Sequence, residues 1–197
     1  KKMGLRHVVI TSVDRDDLKG DFGASIWADT IKQTKKVNPG CTVEVLTPDF
    51  KGFEPALKIV FDSKPDIFSH NVECVERISK AVRAQANWQR SLGVLEKSIQ
   101  HGLRTKTGIM VGLGEEVEEV KKTMRQVVDL GVQIFTIGQY LQPTKNHLKV
   151  EEYISKEQFE LYKEYGYSIG FKVVESGPLV RSSYHADEQA RMVFNNG

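Results

Sequence analysis

The chain has 197 residues, of which 40% are hydrophobic and 27% are charged, a balance typical of a globular domain with one hydrophobic core. Its formal net charge of +2 at pH 7 is too close to zero to indicate a nucleic-acid or membrane partner. No apolar run approaches the roughly 20 residues that a membrane-spanning helix needs, and no secretory signal is recognisable.

Short β-branched runs alternate with longer amphipathic runs along the whole chain. In chain order, the predicted strands are Arg6–Val13, Thr42–Thr47, Asp66–His70, Thr105–Val111, Ile134–Gln139 and Lys172–Glu175. The predicted helices are Gly23–Val37, Phe53–Asp62, Val72–Val82, Trp88–His101, Glu116–Leu130 and Lys156–Ile169, the last with Ser155 as its N-cap. This alternation implies βαβ units and a parallel sheet, and the strand spacing favours an α/β barrel or partial barrel over a flat sheet.

The two cysteines, Cys41 and Cys74, are far apart in sequence and form neither a Cys-x2-Cys nor a Cys-x3-Cys pair. We therefore expect no disulfide framework, a reducing and cytoplasmic compartment, and two small buried side chains.

Polar residues or glycines follow every predicted strand, at the edge where parallel α/β folds carry their chemistry. They lie in the stretches 11–17, 47–50, 69–73, 112–115, 138–143 and 176–185. The structural alternatives are turn or capping roles for Asp16 and Asp17, helix capping by Asn71 and Glu73, a core position for His70, and plain turns at Gly112 and Gly114.

Taken together, this edge suits a polar ligand that carries an amine, a hydroxylated ring and a carboxylate. Carboxylates such as Asp14, Asp16 or Glu73 bind an ammonium group or ribose hydroxyls. Arg15 and Arg181 are able to bind a carboxylate through paired hydrogen bonds. Glycines after the fourth strand allow the backbone to approach an adenine closely.

Several of these stretches closely resemble lipoyl synthases, and they follow in that family's order over essentially all 197 residues. The most specific are Val-Asp-Arg-Asp-Asp-Leu at 13–18 and Arg-Ser-Ser-Tyr-His-Ala at 181–186. The others are Glu44–Phe50, His70–Glu73, Met110–Glu115 and Ile137–Pro143.

The resemblance implies a radical S-adenosylmethionine (SAM) sulfurtransferase that inserts two sulfur atoms at C6 and C8 of a protein-bound octanoyl chain to form the lipoyl cofactor. It implies a partial (β/α)6 radical-SAM barrel over residues 1–175, truncated before its first strand, and a C-terminal segment over 176–197 that carries the Arg-Ser-Ser motif. The implied cofactors are SAM and two [4Fe–4S] clusters. The implied partners are octanoylated carrier domains, namely 2-oxoacid dehydrogenase E2 subunits and the glycine cleavage H protein, and an electron donor such as flavodoxin or ferredoxin.

The same resemblance assigns roles to individual residues. Contacts to SAM are expected from Thr11, Ser12 and Asp14 (methionyl amine), Asn71 and Glu73 (ribose), Gly112 and Glu115 (near adenine), and Gln139 and Tyr140 (closing the pocket). Ser182 or Ser183 is expected to be an iron ligand of the auxiliary cluster, with Arg181 beside it as a catalytic positive charge.

The chain departs from the family because neither cluster-binding cysteine motif is present. We therefore expect the 197 residues alone to be inactive. One alternative is an inactive truncated remnant that still binds SAM or the carrier domain. Others are another radical-SAM enzyme, such as a biotin synthase, and a metal-dependent hydrolase that uses Asp14, Asp16, His70 and His185.

Overall fold

The computed structural model describes residues 2–83, 85 and 87–195, the last of these by its backbone alone. Its six parallel strands pair in sequence order, β1-β2-β3-β4-β5-β6. The strands are β1 (His7–Thr11), β2 (Thr42–Leu46), β3 (Ile67–Ser69), β4 (Thr105–Val111), β5 (Ile134–Gln139) and β6 (Val173–Gly177). All six strands predicted from the sequence are confirmed, as is the parallel α/β architecture.

The helices are α1 (Ala24–Val37), α2 (Glu54–Asp62), α3 (Ser79–Val82), α4 (Trp88–Gln100), α5 (Val117–Asp129), α6 (Lys156–Ser168) and α7 (Ala186–Asn195). Short 3-10 turns occur at Phe50–Gly52 and Glu76–Ile78. Polar side chains fix several helix starts: Ser155 accepts a hydrogen bond from the Gln158 backbone amide, as predicted, and Asn87 does the same for α4.

The predicted helix Val72–Val82 is wrong over its first half. Glu73 adopts a left-handed backbone conformation with φ 73° and forms a parallel β-bridge with Ile109 on β4. Only the 3-10 turn and the four-residue α3 are helical in this stretch. A residue with positive φ cannot continue a right-handed helix, so no helix runs through Glu73, and the first helical turn starts only at Glu76.

One face of the sheet packs against helices through two large apolar clusters, which contain the side chains of Phe135 and Val45 among others. The opposite face, called here the inner face, is covered by α7. There, Ala190 and Val193 pack against apolar side chains at the starts of three strands, namely Ile67, Ile134 and Val173.

Helix α7 was not predicted. It packs against both β1 and β6, the two strands at the edges of the sheet, and so lies across the open side of the partial barrel. Strand β6 runs across the boundary expected between residues 175 and 176. Within the described residues, no helix is both long enough and apolar enough to span a membrane.

Candidate functional site

Two adjoining cavities of about 200 and 130 Å³ lie at the carboxyl ends of the strands. Asn71 and Glu73 line both cavities, so we describe them together as the rim cleft. The larger cavity is also lined by Gly108, Ile109, Met110, Thr136, Gly138, Val180, Arg181 and Ser182. The smaller is also lined by Thr11, Ser12, Asp14, Leu46, Thr47, Pro48, His70 and Arg83.

The backbone of Glu73 is held on β4 from both sides. Its amide donates to the Gly108 carbonyl at 3.1 Å, and its carbonyl accepts from the Met110 amide at 2.8 Å. These two bonds hold the left-handed conformation that places the half-buried carboxylate in the cleft. Burial raises the pKa of Glu73, and the Arg83 guanidinium, 3.8 Å away, opposes that shift only in part.

Asn71 connects the two ends of the cleft. Its Nδ2 donates to the Ser182 hydroxyl at 2.9 Å, across 111 residues of sequence. Its Oδ1 is buried and has no hydrogen-bond partner among the described residues. A buried amide oxygen without a donor is costly, so this atom is suited to accept a hydrogen bond from a ligand.

The end of β1 supplies a more open part of the cleft. The Thr11 hydroxyl donates to the Leu46 carbonyl at 3.1 Å, and the Ser12 hydroxyl donates to the Val13 carbonyl at 2.9 Å. Asp14 lies 3.8 Å from Arg83, which therefore sits between two carboxylates. Sequence reasoning missed Arg83, since the stretch before it was interpreted as a helix and no local signal marks it.

The C-terminal segment 178–185 forms one wall of the larger cavity. Arg181 is exposed at its rim, and its Nη1 donates to the Val180 carbonyl at 2.7 Å. Ser182 lines the cavity and is half-buried, whereas Ser183 is exposed and lies outside the lining. The structure therefore distinguishes two serines that the sequence left equivalent. Lys106, also missed by sequence reasoning, donates to the Ser182 carbonyl at 2.6 Å.

Four predicted site residues lie beside the cleft and line neither cavity. Both Glu115 carboxylate oxygens accept backbone amides of the turn after β4, from Gly112 at 2.5 Å and Leu113 at 2.9 Å. Gly112 has φ 97°, which favours glycine. Tyr140 is buried and donates to the Leu148 carbonyl at 2.8 Å.

Gln139 is the fourth of these residues, and its whole amide group is engaged by backbone. Nε2 lies 3.0 Å from the Glu152 carbonyl, and Oε1 accepts the Ile154 amide at 2.9 Å. This side chain joins the end of β5 to the end of the loop that follows it. The pocket-closing role expected for Gln139 stays a prediction.

His70 is a buried core residue, as one of the two interpretations held. Its Nδ1 lies 3.0 Å from the Thr47 carbonyl and its Nε2 lies 3.0 Å from the Ser91 hydroxyl. Burial lowers the pKa of His70, which favours a neutral imidazole whose Nδ1 donates to the Thr47 carbonyl while Nε2 accepts from the Ser91 hydroxyl.

Comparison with known proteins decides the family. The sequence model of the Radical SAM superfamily matches residues 1–127. The chain belongs to this superfamily. Its resemblance to lipoyl synthases is also confirmed. The chain is 57% identical over 191 residues to the lipoyl synthase of Rubrobacter xylanophilus, and 52% identical over 189 residues to the mitochondrial lipoyl synthase of Nematostella vectensis.

These matches cover 96% and 95% of this chain but only 59% and 65% of the two relatives, so the chain spans less than two thirds of their length. Solved structures give the same fold. Methylornithine synthase superposes with a TM-score of 0.65 at 11% identity, covering 92% of this chain and 60% of that one. A domain of the pyruvate-formate lyase-activating enzyme from Bacteroides vulgatus superposes with 0.62 at 10% identity, covering 85% and 98%.

Membership of the Radical SAM superfamily implies that the protein binds SAM and a [4Fe–4S] cluster. The residues present are suited to bind SAM but not to bind the cluster. The cleft offers SAM a buried unpaired acceptor on Asn71 and a carboxylate on Glu73. A cysteine-held cluster does not fit. Cys74 is 1% exposed, and burial raises the pKa of its thiol to about 12. Cys41 precedes β2, at the opposite end of that strand from the cleft. It is only half-buried, so the expectation of two buried cysteines is wrong for Cys41.

No group of three or more His, Cys, Asp or Glu side chains that could hold a metal ion occurs in the described part of the chain. The hydrolase alternative required Asp14, Asp16, His70 and His185 to converge. Instead, His70 is used by the core and His185 is exposed, stacked on Tyr184 at 4.0 Å between ring centroids.

Proposed function

We propose that these residues form the SAM-binding and serine-ligand part of a lipoyl synthase, which inserts two sulfur atoms at C6 and C8 of a protein-bound octanoyl chain. The observation that carries the proposal is the hydrogen bond from Asn71 Nδ2 to the Ser182 hydroxyl. It joins the predicted ribose contact to the predicted cluster ligand inside one cleft. Two roles that the resemblance implies, a ribose contact and an iron ligand, thus fall on residues that contact each other.

Asn71 and Glu73 are the proposed contacts to the SAM ribose. Asn71 Oδ1 is a free acceptor. The Glu73 carboxylate extends from a backbone that two hydrogen bonds to β4 hold in place. Asp14, with Thr11 and Ser12, is proposed to hold the methionyl ammonium. The charge of Asp14 is only partly balanced by Arg83 at 3.8 Å. A second positive charge is therefore favourable there.

Ser182, not Ser183, is the proposed iron ligand of the auxiliary cluster. Ser182 lines the cavity, its hydroxyl accepts from Asn71, and Arg181 at the rim adds positive charge beside it. Serine oxygen is a hard ligand and a poorer partner for an iron–sulfur cluster than thiolate. The resemblance to lipoyl synthases implies that the auxiliary cluster is consumed as the source of sulfur, and a weak ligand suits such a cluster.

The cysteine ligands of both clusters must come from outside these residues, because Cys41 and Cys74 do not fit them. When bound, the SAM-binding cluster supplies the electron that cleaves SAM. Octanoylated E2 and H-protein domains are the proposed acyl carriers, and flavodoxin or ferredoxin the proposed electron donor. The cytoplasm is the proposed compartment, although one relative is named as mitochondrial.

The misfit of the cysteines favours a second candidate function, an inactive protein that binds SAM or the carrier domain. A chimera separates the two. In this chimera, the stretch of the Rubrobacter xylanophilus protein that matches this chain is replaced by this chain. The residues on either side of that stretch are the relative's own. Reconstituted with iron and sulfide and supplied with SAM and reduced flavodoxin as the electron donor, the chimera should cleave SAM to 5′-deoxyadenosine and lipoylate an octanoylated H protein.

Ser182→Ala in that chimera should abolish lipoyl formation and leave SAM cleavage measurable. Ser183→Ala is the matched control and should leave both unchanged. A folded chimera that binds SAM but makes no 5′-deoxyadenosine would support the inactive binder. Normal lipoylation by the Ser182→Ala chimera would contradict the ligand assignment.

A further inference from the structure

A charged cluster is buried inside the partial barrel, beneath the rim cleft. Lys106 on β4 and Glu44 on β2 have side chains that are 1% and 0% exposed, and Lys106 Nζ lies 2.9 Å from Glu44 Oε1. His7 on β1 is 4% exposed and places its Nε2 3.5 Å from Glu44 Oε2. The His7 Nδ1 is in turn 2.8 Å from the Thr42 hydroxyl. None of these groups belongs to the lining of the cleft.

The cluster reaches the cleft through one contact. Lys106 Nζ donates to the Ser182 carbonyl at 2.6 Å. Ser182 is thus held twice, at its main-chain oxygen by Lys106 and at its hydroxyl by Asn71 at 2.9 Å. Both holding residues belong to the sheet or to the turn directly after β3, whereas Ser182 lies on an irregular segment between β6 and α7.

Stability alone is a weak reason for such a cluster. A buried ion pair loses so much hydration that apolar residues of the same volume often serve the fold equally well. A hydrogen bond from a charged donor to a carbonyl is, however, stronger than a neutral one. The ammonium group therefore contributes something that an apolar side chain cannot, which is a fixed position for Ser182.

We infer that Lys106, oriented by Glu44, is a positioning residue that fixes Ser182 in the cleft. Glu44 attracts the ammonium group as its counter-ion at 2.9 Å, and His7 Nε2 lies 3.5 Å from the other oxygen of that carboxylate. Lys106 then fixes the main chain of Ser182 so that its hydroxyl meets Asn71. The role given to Ser182 rests on the proposed function, but the positioning itself concerns this chain without any ligand.

Two variants of the 197-residue chain separate positioning from stability. Glu44→Leu/Lys106→Met replaces the pair by apolar side chains of similar size, so the fold should persist while Ser182 loses its donor. Glu44→Gln keeps an oxygen beside Lys106 and keeps the Lys106 donor, so Ser182 should remain held. It leaves the ammonium group without a counter-ion, so its thermal midpoint should fall. Glu44→Gln/Lys106→Met serves as a second double variant if the first does not fold.

The readout is amide hydrogen exchange of Tyr184, whose amide donates to the Arg181 carbonyl at 2.8 Å in the turn around Ser182. In the double variant this amide should exchange roughly tenfold faster or more, while amides of β4 and β5 do not change. In Glu44→Gln it should stay within about twofold of the unmodified chain, despite the lower thermal midpoint.

Unchanged Tyr184 exchange in a folded double variant would overturn the inference. So would equal acceleration of Tyr184 and the strand amides, because Lys106 would then support the fold as a whole. Exchange is measured without ligand. Failure of the unmutated chimera to cleave SAM would therefore count against the proposed function and leave the positioning role standing.

Discussion

Gly138 on β5 determines how closely the Ser182 segment approaches the sheet. A Cβ at this position would lie 2.3 Å from the Val180 carbonyl oxygen, whereas real Cβ atoms essentially never approach closer than 3.0 Å. The Gly138→Ala variant must therefore move the segment away by at least the difference, 0.7 Å. The obstacle is backbone, so no side-chain rotation relieves the clash.

Overpacking of this kind costs about 1–3 kcal/mol, less the several tenths of a kcal/mol by which alanine restricts the unfolded chain. Urea denaturation should therefore show a net loss of about 1–2 kcal/mol in the free energy of unfolding. The displaced Ser182 should also reduce lipoyl formation in the chimera by about 100-fold, because misplacement of a reactive group by about 1 Å has that effect.

Gly93→Ala is the matched control. Gly93 lies inside α4, and a Cβ there would meet nothing within 4 Å. It should stabilise the chain by about 0.5–1 kcal/mol, because alanine favours the helix. If Gly138→Ala were as stable as Gly93→Ala and lipoylation continued unimpaired, the close approach of the Ser182 segment to β5 would be refuted.

Three further predictions concern titration. Glu73→Gln should weaken SAM binding, which calorimetry measures. It should also raise the free energy of unfolding at neutral pH, because burial raises the pKa of Glu73 and so disfavours its ionised form. In urea denaturation this gain in stability should vanish as pH falls through that pKa. In the native chain iodoacetamide should label Cys41 but not Cys74, whose thiol has a pKa of about 12, and labelling of Cys74 without denaturant would contradict its burial. The ion pair with Arg77 lowers the pKa of Glu119 to about 2. The free energy of unfolding that this pair contributes should be present above the ordinary glutamate pKa and lost as pH falls towards 2. Urea denaturation of Arg77→Met should therefore show a smaller loss of stability between neutral and acid pH.

The strands were predictable because each is a short apolar run bounded by polar residues, and parallel strands buried on both faces show this pattern strongly. The ends of β4 and β5 match the prediction to the residue, at Thr105–Val111 and Ile134–Gln139. Strand β6 extends to Gly177 because it continues to pair with β5 through the residues opposite Ile137 and Gly138.

The helix expected over Val72–Val82 shows where periodicity misleads. Its apolar residues point towards the core in either conformation, but Glu73 bonds to β4 instead of starting a turn. That choice depends on residues more than thirty positions later, which no local pattern contains.

Helix α7 did carry a local signal, since Ala186, Ala190 and Val193 are spaced for one buried face. This helix was missed because the neighbouring Arg-Ser-Ser-Tyr-His-Ala motif was interpreted only as a functional site.

The polar residues that follow the strands differ in whether their hydrogen-bonding atoms are already used, and sequence cannot report this. Gln139 has both amide atoms bonded to backbone, and Glu115 has both oxygens bonded to amides, so each is suited to build a loop. Asn71 retains a buried free oxygen, and the only ion pair of Glu73 in the described structure is a distant one with Arg83. Because Asn71 Oδ1 and the Glu73 carboxylate are the cleft atoms that the fold leaves most available, we expect the ligand to contact these two residues directly. It should depend on Gln139 and Glu115 only through the loops that they hold.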